Sequence, residues 1–453
     1  MEKVLTLMDR VSDTINRWLL PVASKIGSQR HLVAIRDSFI DITPIIMVYS
    51  LFILLNSLVF TNVELVKMFP AISKLTDIGL MVNAGTMGVM TIFVTFLIGY
   101  RLSNYYVKTG FVTSKQLNPL HAGILSLAVA LVMFPLNSRV TPVGATESVE
   151  VSGVYTQTLT SSGGMFVGII AALVATEVLV RITRGEKLRI SMPEGVPPAV
   201  AQSFNSLLPQ CLIVICVAVL TFAYVQLSGG SSVPDLIQTI ISIPLQAAME
   251  SPLGLFVVQL MTQVLWFFGL HGQNIVSAVT SPSMLAAIQQ NIEAFSNGAE
   301  VPNIVTNPWI GMYTLFGGTG AILPLLIAVF IGSKRKRYRE VAKLGLVPSF
   351  FNVSEPIMFG MPVVLNPYLL VPFIVVPLIN LAIAYPLTAI GVVAKSVVIP
   401  PWTLPPIITA WVTTAGDIPA TILSAALFVL DIFLYLSFII ASNKGKDAGT
   451  EAE

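Results

Sequence analysis

Long uncharged runs alternate with short charged clusters along the chain. The runs cover 42–63, 78–100, 116–138, 151–176, 195–234, 251–292, 301–333 and 356–394. A helix crosses the apolar part of a bilayer in roughly 20 residues, so each run holds one crossing and the longest hold two. The runs are apolar all round, where a membrane β-strand would alternate apolar and polar positions, and this excludes a barrel. Crossings are predicted near 39–60, 79–100, 116–136, 163–183, 210–229, 252–276, 311–333 and 420–441. Ahead of them, MEKVLTLMDRVSDTINRWLLPVASKIG mixes charges throughout, and Val4, Met8, Val11, Ile15, Trp18 and Leu19 share one face at helical spacing. This segment reads as an amphipathic helix on the membrane surface, not as a cleavable signal.

Charge then orients the crossings. Basic residues gather at Lys25/Arg30/Arg36, Arg101/Lys108/Lys115, Arg181/Arg184/Lys187/Arg189, the run KRKRYR at 334–339, and Lys444/Lys446. The positive-inside rule places these in the cytoplasm, together with both termini, and leaves 61–78 and 137–162 outside. Parity exposes a gap. Five crossings from a cytoplasmic start put residue 230 outside, and two more would put KRKRYR outside as well, against its charge. One further crossing is therefore expected between 230 and 311, within the uncharged run 251–292.

Composition sharpens the class. Of 453 residues, 55% are hydrophobic and 11% charged, with a mean hydropathy of +0.82. Soluble domains carry about 25% charged residues, so an ordinary cytosolic enzyme is excluded. A net charge of +2 gives no sign of nucleic-acid binding. The two cysteines, Cys211 and Cys216, sit in QCLIVICVAVL at a spacing that fits no zinc or redox motif, and are expected to be buried packing thiols. Between 344 and 416 the apolar sequence is broken repeatedly by proline, as in VPSFFNVSEPIMFGMPVVLNPYLLVPFIVVP and VVIPPWTLPPIITAW. Lipid tolerates non-helical backbone only where protein or a water-filled cavity covers it, so these stretches predict re-entrant hairpins or discontinuous helices lining a site. The expected fold is an all-α polytopic membrane protein of about ten transmembrane helices, with two re-entrant hairpins and amphipathic surface helices. Four parts are expected: an amphipathic start (1–36), an N-terminal scaffold and dimerisation half (37–210), a C-terminal substrate-binding transport half (211–443) and a polar tail (444–453).

Within the second half, Glu355 in SEPIMFG is the sole charge between Lys343 and Lys395. A carboxylate at membrane depth marks a functional site by default, and this one is a candidate general base. His271 in WFFGLHGQNIV lies between Gly269 and Gly272, a pair of glycines that predicts a bend in the helix. Its imidazole offers a donor and an acceptor to a neutral hydroxylated ligand. Trp266 and Trp402 supply flat apolar faces suited to a sugar ring. FGGTGAILP at 316–324 is expected to expose backbone amides near a ligand, yet it lacks the Lys-Ser/Thr of a nucleotide loop. Glu177 and Asp431 read as interhelical hydrogen bonders. His31 and His121 have no recognisable partner in the sequence.

The series WFFGLHG, GGTGA, the basic run, EPIMFGMPVVLNP and PWT, in this order, resembles the membrane permease, enzyme IIC (EIIC), of the bacterial sugar phosphotransferase system, in its lactose/cellobiose/diacetylchitobiose branch. The resemblance implies a homodimer in the bacterial cytoplasmic (inner) membrane. Its N-terminal half would form the subunit contact, and its C-terminal half would hold one β-linked disaccharide. His271 and Glu355 then match the family's sugar-contacting histidine and glutamate, and Trp266 and Trp402 the neighbouring tryptophans. Gly272, Asn274 and Ser354 complete the expected substrate-binding set. Ser354 stands where the family usually has asparagine.

The implied partner is the phosphorylated enzyme IIB component (EIIB), fed by EIIA and HPr upstream, with its phosphoryl group on cysteine. No metal or other cofactor is expected. The chain would be the integral-membrane subunit of a phosphotransferase complex and would not phosphorylate sugar alone, in keeping with cysteines placed within a crossing and no soluble domain expected after residue 443. The basic groups around 334–343 would either dock the donor or anchor a helix end. An ion-coupled secondary sugar transporter is the competing class, and few acids at depth favour it. An intramembrane hydrolase is weaker still, because HExxH and GxSxG signatures are absent from the sequence.

Overall fold

The computed structural model describes Lys25 and residues 28–443, apart from 61–62, 143–146, 186, 189, 191–192, 194, 197, 362 and 364–365. The amphipathic start, apart from Lys25 and residues 28–36, and the 444–453 tail lie outside the described residues. Helix α1 (Arg30–Leu55) begins where the Gln29 side chain accepts from the Leu32 amide, so the first crossing starts ahead of the predicted residue 39. The segment 61–78 contains α2 (Val63–Met68) and the start of α3 (Thr76–Gly85). A break at 86–89 separates α3 from α4 (Met90–Lys108). Helix α5 (Pro119–Met133) is capped by Asn118 and followed by an antiparallel hairpin of β1 (Asn137–Val140) and β2 (Val149–Ser152). Helices α6 (Met165–Arg184) and α7 (Pro198–Leu227) complete the first half.

Small residues let α4, α5 and α6 approach closely. A Cβ added at Gly99 of α4 would come 2.8 Å from the Ala122 carbonyl of α5. The resulting core joins Leu102, Leu125, Leu179 and Val180 with Ile213 of α7. At one end, Glu177 ties α6 to α1 and α4, since it accepts from Tyr106 and from His31 (2.7 Å) and pairs with Arg30 and Arg181. His31 thus has the partner that its sequence context did not reveal, and His121 has one too, 2.9 Å from the Ser206 hydroxyl. The cysteine expectation is corrected: both thiols are exposed, because α7 packs along one side only and turns its remaining apolar surface outward.

In the second half, α8 (Val233–Ile237) and α9 (Ile243–Glu250) lead to α10 (Pro252–Phe267) through a bend of 78°. The predicted single crossing at 252–276 is corrected. Helix α10 ends at Phe267, Gly269 takes φ +77°, and a separate α11 (Gly272–Ser296) follows. Gly272 seats directly on the α10 backbone at Thr262, where a side chain would collide. Helix α11 lies in the stretch where parity predicts a further crossing, yet it is not among the helices long and apolar enough to span a membrane. The predicted crossing at 311–333 is likewise two helices, α12 (Asn307–Thr314) and α13 (Ile322–Gly332), separated by the glycine turn.

Both proline-broken stretches fold back on themselves. Helix α14 (Lys336–Phe350) turns at 351–354 into α15 (Glu355–Gly360), with Gly345 directly against Ile357. After α16 (Pro367–Ala389), an extended segment runs inward and returns as α17 (Ile408–Thr413), the Val397 and Val398 amides both donating to the Thr413 carbonyl. The extended arm is pinned by Lys395 Nζ on the Val301 carbonyl (2.6 Å), by Asn291 Nδ2 on the Ser396 carbonyl (2.9 Å) and by the Thr306 and Ser396 hydroxyls. Helix α18 (Ile418–Ser442), capped by Asp417, closes the chain against α13 and α16.

One large apolar core, including Trp309, Tyr313, Phe316, Phe373 and Tyr435, holds this half together. A second core joins α1, α4 and α6 to Ile288 and Ile292 of α11 and to Val397 and Val398 of the extended arm. Among the described residues, Pro70–Lys108, Ser162–Arg184, Val200–Leu227, Leu369–Ala389 and Ile418–Ser442 are each long and apolar enough to cross a membrane. The chain is an all-α, multi-pass membrane protein.

Candidate functional site

His271 is the N-cap of α11, and its Nδ1 accepts from the Asn274 amide at 3.3 Å. With Nδ1 engaged as acceptor, a neutral ring carries its proton on Nε2 and turns a donor away from the helix. Behind the imidazole lies the Trp266 indole, with ring centroids 4.2 Å apart and planes at 46°. Trp266 is only 5% exposed and belongs to the large apolar core, so it forms the wall behind His271. Its Nε1 is buried without an acceptor among the described residues.

Glu355 is the first residue of α15, at the tip of the first hairpin. The carboxylate is exposed, against the expectation that it is sunk among apolar groups, and makes no hydrogen bond or ion pair among the described residues. The His271 ring lies within electrostatic reach of this carboxylate and of Arg36 on α1. Two segments far apart in sequence thus bring an imidazole donor and a carboxylate acceptor into one neighbourhood. Ser354, just before Glu355, is 3% exposed and packs against Gly318, so its side chain faces the glycine turn.

That turn runs Phe316-Gly-Gly-Thr-Gly-Ala321, with positive φ at Gly317, Gly318, Gly320 and Ala321. The expectation that it exposes its amides is corrected, because the whole turn is buried, and protein groups engage several of its polar atoms. Gly317 N donates to Asn352 Oδ1 (3.0 Å), Thr319 Oγ1 donates to Gln263 Oε1 of α10 (3.2 Å), and the Gly320 carbonyl accepts from Tyr435. Glycine is required where an L side chain at such φ would also collide: a Cβ at Gly318 would lie 2.6 Å from Ser354 Cβ and 2.9 Å from the Asn352 carbonyl.

Trp402 stands on the second hairpin with 63% of its surface exposed, which leaves its face open to a ligand. The backbone beyond it is strained: Ile407 takes φ +72° and ψ −54°, and the Ile408 amide donates to the Pro406 carbonyl, the geometry of a rare γ-turn. Asn352, not singled out from the sequence, connects these parts, since its Nδ2 donates to the carbonyls of Trp402 (2.8 Å) and Leu404 (2.9 Å). Asparagine in a short run between a helix-ending proline and Glu355 was the available signal.

Glu355, His271, Trp266, Asn274, Ser354 and Gly272 are therefore linked through the hairpin tip, the α10–α11 bend and the glycine turn, and Trp402 joins them through Asn352. Among the described residues, no cluster of three or more His, Cys, Asp or Glu side chains is arranged to hold a metal.

The PTS system cellobiose-specific EIIC component of Geobacillus stearothermophilus is 34% identical over 98% of this chain and 97% of its own length. The PTS system oligo-beta-mannoside-specific EIIC component of Bacillus subtilis is 34% identical over 79% of this chain and 77% of its own. The crystal structure of the transporter ChbC, the IIC component from the N,N'-diacetylchitobiose-specific phosphotransferase system, superposes with a TM-score of 0.84 at 31% identity, covering 95% of this chain and 98% of that one. The family described as Phosphotransferase system, EIIC matches residues 36–377, and the chain belongs to that family.

Proposed function

We propose that this chain is the membrane permease of a sugar phosphotransferase system, which takes up a β-linked disaccharide and delivers it for phosphorylation by a separate phosphorylated EIIB. The cellobiose, oligo-β-mannoside and diacetylchitobiose relatives support that substrate class. The observation that carries the reading is that His271 lies within electrostatic reach of Glu355, from segments 84 positions apart, while the exposed Trp402 is tied to the Glu355 tip through Asn352.

In this reading the Trp402 face stacks on a pyranose ring, and Nε2–H of His271 donates to a sugar hydroxyl. Glu355 accepts the proton of the hydroxyl that is phosphorylated. That hydroxyl oxygen attacks phosphorus on the EIIB phosphocysteine, a P–O bond forms, the P–S bond breaks and the thiolate leaves. The permease contributes position and a base, while the energy of the P–S bond drives the step. Trp266, Asn274 and Gly272 hold His271 in place.

The N-terminal half serves as scaffold and the C-terminal half as the moving, sugar-carrying part; each has its own apolar core, and a third core joins the two along α1, α4, α6 and α11. The scaffold half carries the contact of a homodimer. The permease lies in the bacterial inner membrane with both termini in the cytoplasm, as the basic clusters favour. EIIA and HPr supply EIIB.

Sealed vesicles containing the chain, given radiolabelled β-disaccharides with and without phosphorylated EIIB, test this reading. Sugar phosphate should accumulate only when the donor is present. Gradient-driven accumulation of unmodified sugar without the donor would contradict it in favour of an ion-coupled carrier.

A further inference from the structure

The sugar-facing groups sit on segments that no helix joins. Glu355 is on the first hairpin tip, Trp402 on the second, and the glycine turn between α12 and α13 lies beneath the first. Asn352, itself part of the first tip, bonds to the other two. Its Oδ1 accepts from Gly317 N at 3.0 Å, and its Nδ2 donates at 2.8 Å to the Trp402 carbonyl and at 2.9 Å to the Leu404 carbonyl. Both amide hydrogens and the amide oxygen are thus engaged, and only an amide offers this combination. The residue takes φ +64°, a left-handed conformation that asparagine, aspartate and glycine tolerate better than other residues.

We infer that Asn352 is a positioning residue that fixes the spacing between the Glu355 carboxylate and the Trp402 indole, so that one sugar ring meets both at once. The inference rests on the permease reading above. Asn352 stands three positions before Glu355, and the Gly318–Ser354 contact seats the tip between them against the glycine turn. With Asn352 intact, the two hairpin tips and the glycine turn form one unit. Without it, the Trp402 segment is free to drift from the carboxylate. The Asn352 amide is fully engaged by protein groups, and its loss should therefore act on affinity rather than on the chemical step.

Two substitutions separate this role from a merely structural one. Asn352→Asp keeps the shape, the backbone conformation and the acceptor for Gly317, and loses the two donors. Asn352→Gly keeps the backbone conformation alone. In full-length protein reconstituted with phosphorylated EIIB, both variants should raise KM for the disaccharide by about tenfold and leave kcat within about threefold. Combined with Trp402→Ala, either should add less than about threefold to the loss from Trp402→Ala alone, because the lost interaction is shared. Wild-type KM in the aspartate variant, a fall in kcat at unchanged KM, or full additivity with Trp402→Ala would each overturn the inference. If the glycine variant does not assemble, the isosteric aspartate variant decides. Failure of the wild-type chain to yield sugar phosphate under these conditions would instead count against the permease reading itself.

Discussion

The Trp266 indole lies behind the His271 imidazole, 4.2 Å from it between ring centres, with its own N–H buried and without an acceptor among the described residues. The contact gives His271 a fixed wall on one side, while the Asn274 amide holds Nδ1 on another. In the proposed sugar site, Trp266 would act on binding through the histidine.

Trp266→Phe keeps the wall and removes an unsatisfied buried donor, so stability should be unchanged or higher and sugar affinity should stay within about threefold. Trp266→Ala opens a cavity in the core and should cost about 3 kcal/mol. Thermal melting in detergent and equilibrium binding of labelled disaccharide check both. A large loss of affinity in the phenylalanine variant would show that the indole N–H itself serves the ligand.

Gly318→Ala should disable transport. The residue combines φ +99° with a Cβ position 2.6 Å from Ser354 Cβ and 2.9 Å from the Asn352 carbonyl, so the hairpin tip that bears Glu355 must move. Strain and overpacking together should cost about 2–4 kcal/mol. Gly311→Ala is the control, because its Cβ would meet only the end of a leucine side chain at 3.4 Å within helix α12. It should melt at or slightly above the wild-type temperature, and equal damage from both substitutions would contradict the account.

The features most legible in the sequence were those set by local chemistry. Proline density marked both hairpins, the glycine pair marked the bend at His271, and the lone carboxylate marked the tip, since each of these is paid for by its immediate neighbours. Features decided by tertiary contact were not legible. Whether 252–276 is one helix or two depends on Gly272 seating on the Thr262 backbone, and Cys211 and Cys216 lie on a side of α7 that the described residues leave exposed. The glycine turn looked open because its composition is that of a loop, yet Asn352, Gln263 and Tyr435 enclose it from three other elements. Asn352 itself escaped notice because its partners lie 35, 50 and 52 residues away.

Asp431 tests how the carrying half is pinned. It is fully buried on α18, and its Oδ2 accepts from Asn380 Nδ2 of α16 at 2.9 Å. Asp431 Oδ1 and Asn380 Oδ1 have no donor among the described residues. Asp431→Asn preserves the shape and adds a donor, so it should fold and transport as well as wild type. Asp431→Leu leaves one Asn380 N–H in the core without its acceptor, while the amide keeps its bond to the Tyr313 carbonyl (3.0 Å), and should cost about 1–3 kcal/mol. Melting curves and uptake of both variants decide the point, and loss of uptake in a stable Asp431→Asn variant would give the carboxylate a direct part in transport.

The most direct test is sugar phosphorylation by Glu355→Gln, His271→Ala and the double variant, assayed with phosphorylated EIIB after confirming that each is folded. Losing a charged hydrogen bond to sugar and the base itself should lower turnover at Glu355→Gln by at least about 100-fold. His271→Ala should lower kcat/KM by about 10- to 100-fold. The double variant should be scarcely worse than the poorer single one, as expected of two groups acting on one hydroxyl. Wild-type phosphorylation in both single variants would contradict a sugar site built on these two residues.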